Sequence, residues 1–223
     1  MNFVMTTGWE DGIADLTEKL IKALSEGKSV LWLVSGGSNI KASVQIIDSI
    51  SMDLRTNLSV MLADERYGPL GHTDSNWEQL LQAGFSTDNV RIQPILESGL
   101  SFEDTIQKYN SLAEHELNNH DLVIAQLGIG SDGHIAGILP NSPAITNDQY
   151  ATGYEALDYK RLTLTFRSLK LISQAYVFAF GYTKKDTLLK LRDTDAKLND
   201  QPCQILKQLK KACLYNDQIG DHE

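Results

Sequence analysis

Short, wholly apolar runs alternate in this sequence with longer stretches in which apolar residues return every three or four positions. Residues 13 to 24, IADLTEKLIKAL, set Ile13, Leu16, Leu20, Ile21 and Leu24 on one face of a helix. SVLWLVS at 29 to 35 is short and apolar throughout, as a strand covered on both faces is. IKASVQIIDSI at 40 to 50 returns to the helical period, and LSVMLAD at 58 to 64 reads as a second buried strand. After the polar loop ERYGPLGHTD a helix opens at Asp74 or Ser75. VRIQPI precedes a helix over 101 to 118, and DLVIAQLGIG is another buried strand. RLTLTF and AYVFAFG read as strands around a short helix, with KKDTLLKLR helical after them. The alternation predicts an α/β fold: a doubly wound, mostly parallel sheet with helices on both faces, in one domain over residues 1 to 223.

Ligands of such sheets sit outside the carboxyl ends of the strands, and three unusual loops follow strands here. SGGSN at 35 to 39 fits an ordinary strand-to-helix turn in which Ser38 or Asn39 caps the helix. It equally fits an anion nest, with the amides of Gly36, Gly37 and Ser38 converging at a helix start beside the hydroxyls of Ser35 and Ser38. The two readings are compatible. In DERYGPLGHTDSN, Asp64 closes an apolar strand, which points its carboxylate into the cleft. Arg66 forms either a surface ion pair with Asp64 or Glu65, of little energetic weight, or a fork-shaped ligand for phosphate or carboxylate. GIGSDGH satisfies the dinucleotide pattern GxGxxG with Gly128, Gly130 and Gly133. Pro140 and Pro143 nevertheless end the following segment after a turn or two, and Asp132 puts a negative charge where a pyrophosphate would lie. The loop therefore reads as a glycine-rich carrier of Asp132 and His134, without a nicotinamide cofactor.

A net charge of -9 and a pI near 5 argue against a nucleic-acid partner, which needs a basic surface, but leave room for a small phosphorylated ligand. Hydrophobic residues are 42% of the chain with no run long enough for a membrane span, and the start MNFVMTTGWEDG lacks a signal-peptide pattern. These features predict a soluble, cytoplasmic protein. Cys203 and Cys213 read as reduced and structural. His72, His115 and His120 read as solvated. Neither His nor Cys clusters at metal-ligand spacing, so no metal and no cofactor is expected.

The loops together resemble the 6-phosphogluconolactonases and their relatives the glucosamine-6-phosphate deaminases. The resemblance runs through most of the chain and rests on five motifs in family order: SGGSN, DERYGP with DSN, GIGSDGHIAGILP, RLTLT and GYTKKDTLL. It implies the deaminase-type version of the Rossmann-like fold. The family's glycine loop usually continues with Thr-Pro, where Asn39 and Ile40 stand here, and its histidine loop usually reads GHTASLFP. Ile135, Gly137, Ile138 and Leu139 depart from that pattern, while Asp132, Gly133, His134 and Pro140 keep it. GHIA matches the deaminase loop GHIAFNEP, but the deaminase glutamate is Leu139 here, and DER, RLTLT and GYTKK are lactonase-like.

The resemblance thus favours hydrolysis of 6-phosphogluconolactone over deamination or a non-catalytic sugar-phosphate sensor. It implies His134 as general base and acid, with Asp132 orienting its ring. Arg66 and the Gly36 and Gly37 amides are candidates for substrate oxygens or the developing oxyanion. Ser35, Ser38, Arg161 and Lys184 fall to the phosphate side, and Asp64 is a further substrate-binding candidate. The implied partner is a sugar-phosphate lactone, and nothing in the sequence separates a monomer from a homodimer.

Overall fold

The computed structural model describes residues 1–221. The strands β1 (Asn2–Met5), β2 (Val30–Val34), β3 (Leu58–Leu62), β5 (Arg91–Gln93), β6 (Leu122–Gly128), β9 (Gln174–Phe178) and β10 (Ala212–Asn216) form one sheet in the order β1-β10-β9-β6-β2-β3-β5. Every pairing in it is parallel. Helices α1 (Glu10–Ser25), α2 (Ile40–Ser49), α3 (Asn76–Gln82), α4 (Phe102–Asn118), α5 (Phe166–Leu169) and α6 (Lys185–Asp193) connect the strands. The mostly parallel α/β architecture is the one the sequence predicts.

The inner strands are buried at every position of VLWLV and LSVML, which is why their sequences show no alternation. Leu16, Leu20 and Leu24 form the buried stripe of α1, four residues apart. Ser75 caps α3 and Ser101 caps α4, their hydroxyls accepting from the Glu78 and Asp104 amides at 3.1 Å each.

The chain departs from the expected pattern after Leu62. The strand expected over 58 to 64 stops there, and β4 (Asp64–Arg66) joins a separate antiparallel sheet with β7 (Ala151–Glu155) and β8 (Lys160–Leu164), in the order β4-β8-β7. RLTLT therefore lies outside the main sheet. The departure is held from both sides: Ala63 donates to Val34 O at 2.8 Å and accepts from the Leu164 amide at 3.0 Å. Buried Tyr109 of α4 donates its hydroxyl toward the Leu62 and Ala63 carbonyls, at 2.9 and 3.1 Å. One hydroxyl proton is thus shared between the two carbonyls at the point where the chain leaves the main sheet.

Two histidines also differ from expectation. His120 is buried, its ring between Glu116 O at 2.8 Å and Ser59 Oγ at 3.0 Å, and His72 Nε2 lies 3.0 Å from Arg66 O. His115 is exposed, as expected. Cys203 and Cys213 are free thiols, Cys203 buried, with its thiol pushed up to about 12 by that burial.

Candidate active site

Strand order in the main sheet reverses between β2 and β6, since β3 and β5 follow on one side of β2 while β6, β9 and β10 extend on the other. A crevice opens at the carboxyl ends where neighbouring connections diverge. SGGSN leaves β2 there and GIGSDGH leaves β6. The small sheet brings β4 and β8 to the same rim. One cleft of about 160 Å³ results, lined by Ser35, Gly36, Gly37, Ser38, Asp64, Arg66, His134, Arg161 and Lys184. These are all of the site residues read from the sequence except Asp132, which stands behind His134.

The Asp132 and His134 pair is the chemical centre of the cleft. Asp132 Oδ1 lies 2.6 Å from His134 Nδ1 and also accepts from the His134 amide at 3.1 Å. The hydrogen bond to His134, outweighing partial burial, holds the Asp132 carboxyl down to about 2, so it is an acceptor at neutral pH. Nδ1 of a neutral ring is then the protonated nitrogen, and Nε2 carries the free lone pair.

The glycines serve this pair. A Cβ on Gly130 would overlap the His134 imidazole. Gly130 N donates to His134 O and Gly133 N to Gly130 O, both at 3.0 Å, closing the loop on itself rather than opening a helix. Gly133 has φ +86, and its carbonyl accepts from Cys203 N at 2.9 Å. Beyond the histidine, Ala136 at φ +48 and Gly137 at φ +75 turn the chain sharply. A Cβ at Gly137 would lie 2.7 Å from that of Asp64. The small sheet secures this turn, with Thr163 Oγ1 donating to Ala136 O and Tyr154 OH to Gly137 O at 2.7 Å.

Asp64 and Arg66 are placed by Glu65, which the sequence suggests only as a surface ion-pair partner of Arg66. Glu65 is buried, and its two oxygens accept from Arg66 N and Asn76 N at 2.7 Å, Ser75 Oγ at 2.9 Å and Trp77 N at 3.1 Å. A carboxylate at the start of α3 satisfies amides that have no partner within the helix. It ties β4 to α3 and so sets Asp64, Arg66 and Asn76 around one end of the cleft. Asn76 Nδ2 donates to Asp64 O at 2.9 Å and reaches Asp64 Oδ2 at 3.4 Å. Burial raises the Asp64 carboxyl above its usual range, with Arg66, His134 and Arg161 opposing. Arg66 pairs with neither Asp64 nor Glu65 through its side chain; its Nη1 donates to Asp74 O at 2.9 Å.

In SGGSN a short 3-10 turn, Gly37–Asn39, precedes α2, and neither Ser38 nor Asn39 makes a side-chain cap, which corrects the capping reading. Asn39, read from sequence only as a possible cap, is instead buried against the cleft. Ser35 Oγ, Asn39 Oδ1, Asn76 Oδ1, Arg66 Nε and Arg161 Nε are buried polar atoms without a protein partner, and each belongs to a residue lining this cleft. Such a concentration suits a polar ligand with many oxygens. Burial lowers the Lys184 ammonium, opposed by Asp132. Arg167 and Lys185 do not line the cleft; Arg167 lies over the Tyr150 ring, 4.0 Å from its centre. Among the described residues no three His, Cys, Asp or Glu side chains gather as metal ligands do.

A histidine–carboxylate pair facing a cation-lined crevice at a sheet switch point places this chain among the α/β proteins with a polar site at the strand ends. The profile of the family described as glucosamine-6-phosphate isomerases/6-phosphogluconolactonase matches residues 9–215, and the chain belongs to that family. It is 33% identical over 138 residues to a 6-phosphogluconolactonase of Pseudomonas aeruginosa, a match that spans 59% of this chain and 55% of that protein. To a 6-phosphogluconolactonase of Borreliella burgdorferi it is 29% identical over 181 residues, 73% of this chain and 75% of the relative. The crystal structure of 6-phosphogluconolactonase from Thermotoga maritima shares the fold with a TM-score of 0.79 at 21% identity, over 96% of this chain and 97% of that one.

Proposed function

We propose that this protein hydrolyses 6-phospho-D-glucono-1,5-lactone to 6-phosphogluconate, the lactone-opening step of the oxidative pentose phosphate pathway, in the cytoplasm. The observation that carries the reading is the His134 ring, with Nδ1 committed to an ionised Asp132 and Nε2 left at a cation-lined cleft. Opening a δ-lactone needs a proton taken from water, an oxyanion held at C1 and a proton returned to the ring oxygen. His134 performs both transfers in turn: Nε2 accepts the water proton as the C–O bond forms, and the imidazolium, stabilised by Asp132, returns it as the ring C–O bond breaks. The Gly36 and Gly37 amides and Arg66 receive the C1 oxygen. Arg161, Lys184 and the hydroxyls of Ser35 and Ser38 take the phosphate, and Asp64 accepts from a ring hydroxyl.

The family contains two reactions, and one residue favours the lactonase. A deaminase needs an acid-base relay to open an unactivated ring. The position that its glutamate takes is Leu139, which packs against the core outside the lining of the cleft. An aliphatic side chain carries no proton, whereas an ester carbonyl needs no second relay. The experiment is to supply both substrates: rapid opening of 6-phosphogluconolactone with no ammonia from glucosamine 6-phosphate supports the reading. Ammonia release without lactone opening overturns it.

A further inference from the structure

The tip of the β7–β8 hairpin lies outside every motif that carries the family resemblance, and its side chains act on both cleft arginines. The turn is tight, closed by the Ala156 amide donating to Tyr159 O at 2.8 Å, so Asp158 is held beside Arg161. Asp158 Oδ2 accepts from Arg161 Nη2 at 2.6 Å while Oδ1 accepts from the Tyr159 amide at 3.0 Å. The Arg161 side chain is 10% exposed and that of Asp158 51%, so the anion approaches a buried cation from the solvent side.

Arg66 and Arg161 are register partners across β4 and β8, which sets two guanidinium groups side by side. Both approach the ring of Tyr159, Arg66 Cζ at 5.3 Å and Arg161 Cζ at 5.7 Å from its centre, within cation–π range. The Tyr159 hydroxyl reaches Asp74 Oδ1 at 3.4 Å, and the Asp74 carbonyl holds Arg66. Each arginine retains a buried Nε without a partner. Asp158 thus meets the Arg161 fork through one oxygen, where a bidentate oxyanion engages two donors.

We propose that Asp158 is an internal competing anion that sets the affinity for phosphorylated ligands: in the free protein it occupies Arg161, and the phosphate of a phosphorylated substrate displaces it. The inference rests on the placement of the phosphate at Arg161 under the proposed function. A phosphate dianion carries more charge than Asp158 and offers an oxygen to Nε as well as Nη2, so it wins the exchange. A neutral sugar has no group with which to dislodge the carboxylate. Asp158 thus lowers the affinity for phosphorylated ligands, which must displace it, and leaves that for neutral sugars unchanged.

Asp158→Asn removes the charge and keeps an oxygen for the Tyr159 amide; Asp158→Ser offers a second, smaller oxygen. Dissociation constants for inorganic phosphate and 6-phosphogluconate are measured by calorimetric titration on the wild type, both variants, Arg161→Ala and the Asp158→Asn/Arg161→Ala double variant. The inference expects about two- to fivefold tighter binding of both ligands in Asp158→Asn and Asp158→Ser, the range of a partly exposed ion pair. The gain should vanish in the Arg161→Ala background. If Arg161→Ala weakens binding and the Asp158 variants bind no more tightly than wild type, Asp158 is a brace and the inference fails, while the phosphate placement stands. If Arg161→Ala leaves both affinities unchanged, the phosphate placement and the inference fail together.

Discussion

His134 works through one neighbour and one glycine, and each makes a separate prediction. His134→Ala removes the proton acceptor and is expected to lower kcat by about a hundredfold or more, the usual contribution of a positioned base. Asp132→Asn keeps the histidine but loses the charge that fixes its tautomer and stabilises the imidazolium, so the loss should be smaller. Steady-state kinetics on the two variants check the order. Asp132 also leaves a mark on stability. Its folded-state value of about 2 lies below the ordinary 3.8, so its contribution is present above about pH 4 and disappears as pH falls through about 2. The side chain is half exposed, which keeps that contribution small. Urea titrations between pH 5 and 2 should show a shallower acid loss in Asp132→Asn than in wild type. Gly130→Ala should abolish activity with far less effect on overall stability, because the added methyl collides with the imidazole itself.

Elements that read clearly from the sequence are those whose partners are local or whose burial is two-sided. The inner strands show it as unbroken apolar runs, α1 and α2 as periodic stripes, and α3 as an opening at Asp74 or Ser75, where Ser75 is the cap. The small antiparallel sheet was not legible as a unit. DER is three residues long and polar, and its partner lies about a hundred residues away, at Arg161–Thr163. β1 and β10 are short and pair the two ends of the chain, another contact with no local signature. Within the site, the loops and their charged residues were readable, but Glu65 was not, because a buried carboxylate and a solvated one look alike in sequence. What distinguishes it is the ring of four donors that the fold supplies. Glu65→Ala would leave those donors facing an apolar methyl and is expected to cost on the order of 3 kcal/mol. Chemical denaturation measures it, and activity should fall further than stability explains, since β4 carries both Asp64 and Arg66.

The molecule as a whole is acidic, with a net charge of -9, while its cleft gathers Arg66, Arg161 and Lys184. Phosphorylated and neutral substrates should therefore separate sharply. Arg161→Ala is expected mainly to raise KM for the phosphorylated lactone, and unphosphorylated gluconolactone should be a poor substrate of the wild type. Raising salt should raise KM for the phosphorylated lactone, as screening weakens the cationic cleft. The proposed hydrolysis depends on His134 as the base that acts at the lactone carbonyl. Its test is the initial rate of 6-phosphogluconolactone opening, with spontaneous hydrolysis subtracted, for wild type and His134→Ala side by side at saturating substrate. The structure predicts turnover well above the spontaneous rate for the wild type and a loss of about a hundredfold or more for the variant; a His134→Ala protein that opens the lactone as fast as wild type contradicts it.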